Sequence, residues 1–181
     1  MVRIMAALGL ALLFAAQGAF AEEAGDPLSQ AMQRNPARFE TRMIDLIAGF
    51  GGPDGLTLAG IDEHVAVERA GARAAALRRM LAMDLDGDGG VTRAELAVAQ
   101  RASSAKARGR MERQFVGADR DSDGRIDPAE MAAEGQAAAL AALDADAAAL
   151  LRATLRLDAD GNGALSAQEV RAALARLEQE A

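Results

Sequence analysis

Asp119-Arg120-Asp121-Ser122-Asp123-Gly124-Arg125-Ile126-Asp127-Pro128-Ala129-Glu130 decides how this 181-residue chain is read. Side-chain oxygens fall at positions one, three, five and nine of the stretch, with glycine at six and glutamate at twelve. A hard cation takes six to eight oxygen ligands, and alternate residues of a tight loop can aim theirs at one centre. Gly124 permits the sharp bend because it has no Cβ to forbid φ > 0. Glu130 can close the shell with both carboxylate oxygens from the first turn of a following helix. Each pair of carboxylates held about 4 Å apart repels by roughly 4 kcal/mol at an effective dielectric of ~20. A merely solvated acidic loop needs neither the glycine nor the distant glutamate, whereas a bound divalent cation accounts for both.

The pattern occurs twice more. Asp84, Asp86, Asp88, Gly89, Thr92 and Glu95 hold positions one, three, five, six, nine and twelve of an earlier loop, and Asp158, Asp160, Asn162, Gly163, Ser166 and Glu169 hold those of a later one. All three fit D-x-[DN]-x-[DN]-G-x₅-E, so the chain contains an internal repeat. In this it resembles the EF-hand family, over residues 38 to 178, with a calmodulin-like four-hand layout and the marks of an exported, bacterial-type member. The resemblance implies an all-α fold of paired helix–loop–helix units in two lobes, with short β contacts between loops. It also implies about three Ca²⁺ ions.

The metal ligands expected on that basis are Asp84, Asp86, Asp88, Thr92 and Glu95 in the first loop, with the carbonyl of Gly90 at position seven. In the second they are Asp119, Asp121, Asp123, Asp127 and Glu130, with the Arg125 carbonyl. In the third they are Asp158, Asp160, Asn162, Ser166 and Glu169, with the Ala164 carbonyl. Carboxylate count ranks the Asp119 loop above the Asp84 loop and the Asp158 loop last, and glutamate at position twelve favours Ca²⁺ over Mg²⁺. Position eight is apolar each time (Val91, Ile126, Leu165), where the family makes its loop-to-loop contact. Each exit helix opens on a capping signature: Thr92 to Glu95, Asp127 to Glu130 and Ser166 to Glu169. With an ion bound the glutamates serve the ion, so capping is expected of the ion-free loop.

Residues 1–21 read as a signal peptide: Arg3, the apolar run Ile4 to Ala16, and the small-x-small site Ala19-Phe20-Ala21. The run is too short for a comfortable span of about twenty residues, so no membrane span is expected after cleavage. The formal charge of −7 would become −8, with 19 basic against 27 acidic side chains. An exported protein, periplasmic or secreted, follows as the expectation.

Residues 22–37, polar and holding Pro27 and Pro36, read as a flexible lead-in. Arg38 to Phe50 is helical in period. Gly51 to Gly60 then fits a degenerate hand: with Leu56 at position eight, Thr57 falls at nine and Gly60 at twelve. This hand lacks the ligands but keeps an apolar partner contact, expected as Leu56 against Val91. Its exit helix, Ile61 to Ala70, precedes an entering helix, Gly71 to Met83. The expected lobes are residues 38–102, holding the degenerate hand and the Asp84 loop, and residues 103–178, holding the Asp119 and Asp158 loops. The basic stretch Leu96 to Phe115 joins them, weakened as a helix at Ser103-Ser104 and Gly109. Asp144 reads as the cap of a helix running to Leu157.

Composition narrows the function. With no cysteine and His64 alone, a zinc cluster of nitrogen and sulfur ligands cannot be assembled. No nucleophile elbow is present, and His64 has no assigned ligand role, so no enzyme is expected. An acidic chain with 3 % aromatics lacks the basic surface and stacking rings of a nucleic-acid binder. A calcium sensor or adaptor is the leading expectation, offering an apolar groove to a protein partner, with Met43, Met80, Met83, Met111 and Met131 suited to an adaptable surface. A calcium buffer or calcium-stabilised structural protein is the alternative.

Overall fold

The computed structural model describes residues 26–180; the expected signal peptide lies outside them. Helix α1 (Pro27–Arg34) opens on Asp26, whose carboxylate accepts from the Ser29 N–H at 3.1 Å, with Pro27 in the first turn. It buries Leu28 and Met32, one turn apart on the same face. The lead-in expected to be flexible is therefore helical over these residues. Two apolar residues are too few to show a period, and the cap and proline were the only local signal.

Helix α2 (Pro36–Phe50) leads through a tight turn, closed by Gly52 N–H to Gly55 O at 2.8 Å, into β1 (Leu56–Thr57). Helix α3 then runs unbroken from Leu58 to Leu81, where two helices were expected. Gly71 lies inside it with open space beyond its Cα, and one helical glycine costs only about 1 kcal/mol relative to alanine. Strand β2 (Val91–Thr92), α4 (Arg93–Arg101) and α5 (Ala105–Ala118) follow, with Ser104 capping α5. After β3 (Arg125–Ile126) comes α6 (Pro128–Ala142). Helix α7 (Ala145–Ala153) is capped by Asp144 and continues as a 3₁₀ turn to Leu157. Strand β4 (Ala164–Leu165) and α8 (Ala167–Glu180) complete the order.

The strands pair in a nested way. Leu56 lies opposite Leu165 and Val91 opposite Ile126, both antiparallel. This corrects the expected partners, Leu56 with Val91 and the Asp119 loop with the Asp158 loop, and the division at residue 102 does not follow the pairing. The cause is the long helices. Helix α3 leaves β1 and ends at the Asp84 loop, while α6 leaves β3 and returns toward α7. The two run antiparallel: Arg69 Nε donates to the Leu143 carbonyl at 2.8 Å, and further along α3 Arg73 and Leu77 pack on Gly135. A Cβ on Gly135 would lie 3.1 Å from Arg73 Cγ, so the missing side chain lets the helices approach. Buried Ala76 and Ala139 belong to the same alanine-rich spine.

A hydrophobic core lies at each end of that spine. One gathers Leu28, Met43, Leu56, Ile61, Leu165 and Val170 with their neighbours; the other gathers Met80, Met83, Val91, Phe115, Ile126 and Met131.

Candidate metal centres

Each repeated loop brings three carboxylates together. One oxygen each from Asp84, Asp86 and Glu95 lies within 4.8 Å of the others, and the same holds for Asp119, Asp121 and Glu130 and for Asp158, Asp160 and Glu169. These are positions one, three and twelve. At position five, Asp88, Asp123 and Asn162 each accept the position-seven N–H through Oδ1, at 2.8, 2.8 and 2.7 Å. Position-seven residues Gly90, Arg125 and Ala164 sit at the start of, or one residue before, the paired strands.

The turn chemistry follows from the sequence. Gly89, Gly124 and Gly163 all have φ near +85°, a conformation that side chains disfavour, and each donates its N–H back to the position-one carboxylate. Position four is also left-handed: Gly87, Gly161 and, without glycine's freedom, Ser122 at φ 60°. Gly87 and Gly161 additionally donate to Oδ1 of Asp84 and Asp158, both at 2.8 Å. Asp119 accepts from Gly124 through Oδ2, but its Oδ1 has no hydrogen-bond partner, although the residue is only 8 % exposed. A buried carboxylate oxygen without a donor fits a cation, because leaving such an atom desolvated and unpaired is costly.

The glutamates at position twelve clasp their loops from both ends. Glu95 Oε2 accepts from Thr92 N–H and Oγ1–H, while Oε1 accepts from Leu85 N–H. Glu130 accepts from the N–H groups of Asp127 and Arg120, and Glu169 from the Ser166 N–H and Oγ–H and the Ala159 N–H. The Thr92 backbone, then its hydroxyl, hold the Glu95 carboxyl down at about 2, and Ser166 does likewise for Glu169. Position nine caps the exit helix through Thr92, Asp127 and Ser166.

No such carboxylate cluster forms at Gly51 to Gly60 among the described residues. His64 packs edge-on against Phe50, ring centroids 5.1 Å apart, and joins none of the clusters.

Residues 77–98 and 112–133 match the EF hand family model, which covers the Asp84 and Asp119 loops. The fold is an all-α EF-hand fold. Its motifs imply calcium binding, and the Asp158 cluster has the same donor set outside the matched segments. No curated protein and no solved structure matches the chain.

One functional group escapes a ligand-by-ligand reading of the EF-hand loops: the Arg125 side chain. Its guanidinium pairs with Asp88 of the other loop at 2.9 Å. The sequence signal was the doubled glycine Gly89-Gly90, of which only the first serves the bend.

Proposed function

We propose that this protein binds three calcium ions, one in each of the loops 84–95, 119–130 and 158–169, and serves as a calcium sensor or adaptor in an exported compartment. The observation that carries the reading is the threefold recurrence of one donor set. Carboxylates from positions one, three and twelve converge in every loop, on a backbone whose position-six glycine takes the same left-handed turn. Position-five oxygens, position-seven carbonyls and position-nine side chains complete the proposed shells. The turn at Gly52 to Gly55 followed by β1 is read as a degenerate first hand, which keeps the loop-to-loop contact and holds no ion. Arg3, the Ile4 to Ala16 run and Ala19-Phe20-Ala21 support export. Among the described residues no helix is long and apolar enough to cross a membrane. The EF-hand family is typically a non-enzymatic, calcium-binding one, and the role proposed is binding.

A sensor must turn ion binding into exposed apolar surface. The source would be the core around Met80, Met83 and Met131, at the end of the spine where two ion loops pair. A second reading, a calcium-stapled fold or buffer, draws on the burial of those same methionines and of Met43. Titrating the full chain with calcium in millimolar Mg²⁺, with a dye that fluoresces on apolar surface, separates the two. Fluorescence rising with ion uptake supports the sensor; ion uptake with flat or falling fluorescence supports the stapled fold. Absence of ion uptake refutes both.

A further inference from the structure

Arg125 belongs to the Asp119 loop but acts on the other one. Its Nη2 donates to Asp88 Oδ2 at 2.9 Å, across the β2–β3 pair. Asp88 Oδ1 is already held by the Gly90 N–H at 2.8 Å. Both oxygens of this position-five carboxylate therefore carry a hydrogen bond, and one of them faces the full charge of a guanidinium. The equivalent residues lack this constraint: Asp123 and Asn162 face no arginine ion pair among the described contacts.

The contact is built into the sequence at Gly90. A Cβ there would lie 2.6 Å from both Arg125 Nε and Nη2. Yet Gly90 is not among the residues with positive φ, so its backbone does not call for glycine. The missing side chain is a slot through which Arg125 reaches Asp88. At position seven the other loops carry Arg125 itself and Ala164. Within the slot Arg125 Nε is buried and makes no hydrogen bond, so the group is held by the Asp88 ion pair and by packing.

We propose that Arg125 is an internal cationic competitor: it pairs with Asp88 at Oδ2 and weakens calcium binding in the Asp84 loop. The inference rests on the calcium reading above. Calcium and the guanidinium seek the same carboxylate, and an extra positive charge beside the loop opposes a dication over the same short range. The Arg125 carbonyl is meanwhile a proposed ligand of the Asp119 loop, and Thr92 lies opposite Arg125 in the strand pair. The residue therefore bears on both loops. The pair is about 41 % exposed on each side, so its effect is that of a surface ion pair.

The test is a calcium titration of the full chain by NMR, with the amides of Gly89, Gly124 and Gly163 reporting the three loops separately. Arg125→Ala should tighten the Gly89-reported loop about two- to fivefold and leave the Gly163-reported loop unchanged. Arg125→Gln, which keeps the side-chain stem, should act in the same direction. An affinity at Gly89 that is unchanged or weaker in both variants overturns the proposal and makes the pair a simple staple. A second readout needs no comparison of affinities. The Arg125 Nε–H signal, present in chelator, should shift at the calcium concentration at which Gly89 titrates; a signal that ignores the filling of that loop also overturns the proposal. A wild-type chain that takes up no calcium in any loop removes instead the reading on which this one rests.

Discussion

The two ends of the α3–α6 spine solve one problem in different proportions. At one end β2 and β3 join two carboxylate loops over a core of Met80, Met83, Val91, Leu96, Phe115, Ala118, Ile126 and Met131. At the other, β1 and β4 join one carboxylate loop to a short glycine turn, over a larger core that also recruits α1, α2, α7 and α8. The strand contact also forms where carboxylate donors are absent, so strand pairing does not require them. The end with more acidic loops has the smaller buried apolar cluster, so on the proposed calcium reading more of its stability would come from the ions.

Leu56→Asp should have the largest effect. It places an unpaired carboxylate at a fully buried position opposite Leu165, costing about 3–5 kcal/mol. Nested pairing locates the damage in the Asp158 loop. Site-resolved titration should show calcium binding weakened there and retained in the Asp84 loop; the reverse would restore the sequential pairing of hands.

Calcium removal should then divide the ends. An ion at a hundredfold excess over its dissociation constant contributes about 2.7 kcal/mol. The end with two ion loops should therefore lose about that much more than the end with one. Hydrogen exchange in chelator should show amides at Met80 and Phe115 losing more protection than those at Ile61 and Val170. Equal losses would mean that core size does not set ion dependence.

Gly135→Leu tests the spine that keeps the ends apart. A side chain there meets Arg73 and Leu77 of α3, and overpacking of this kind costs about 1–3 kcal/mol. A lowered melting temperature with calcium affinities unchanged is expected. Ser122→Gly should have the smallest effect. It relieves a left-handed non-glycine residue at the position where the other loops use glycine, for a gain of about 0.5–1 kcal/mol. Thermal melting should move up slightly, and a loss of stability would contradict the strain.

The carboxylate loops were legible in the sequence because their chemistry is local. Position-one and position-twelve carboxylates, the position-six bend and the caps at Thr92, Asp127, Asp144 and Ser166 depend on residues within a dozen of one another. The choice of partners was not legible, because Leu56, Val91, Ile126 and Leu165 are interchangeable as apolar position-eight residues. What selects between them is the antiparallel packing of α3 on α6, a long-range contact made by alanines and Gly135 that carry no distinctive pattern. The expected division of α3 at Gly71 fails because one glycine with open space around it costs a helix only about 1 kcal/mol, too little to break it. The Arg125–Asp88 pair crosses 37 positions and becomes visible only once β2 meets β3.

Native mass spectrometry of the full chain in calcium, beside Glu169→Gln, tests the central claim most directly, because the Asp158 loop lies outside the segments that match the family. Three bound ions in the wild type and two in the variant are predicted. Two ions in both would empty the Asp158 loop, and none in either would contradict the calcium reading itself.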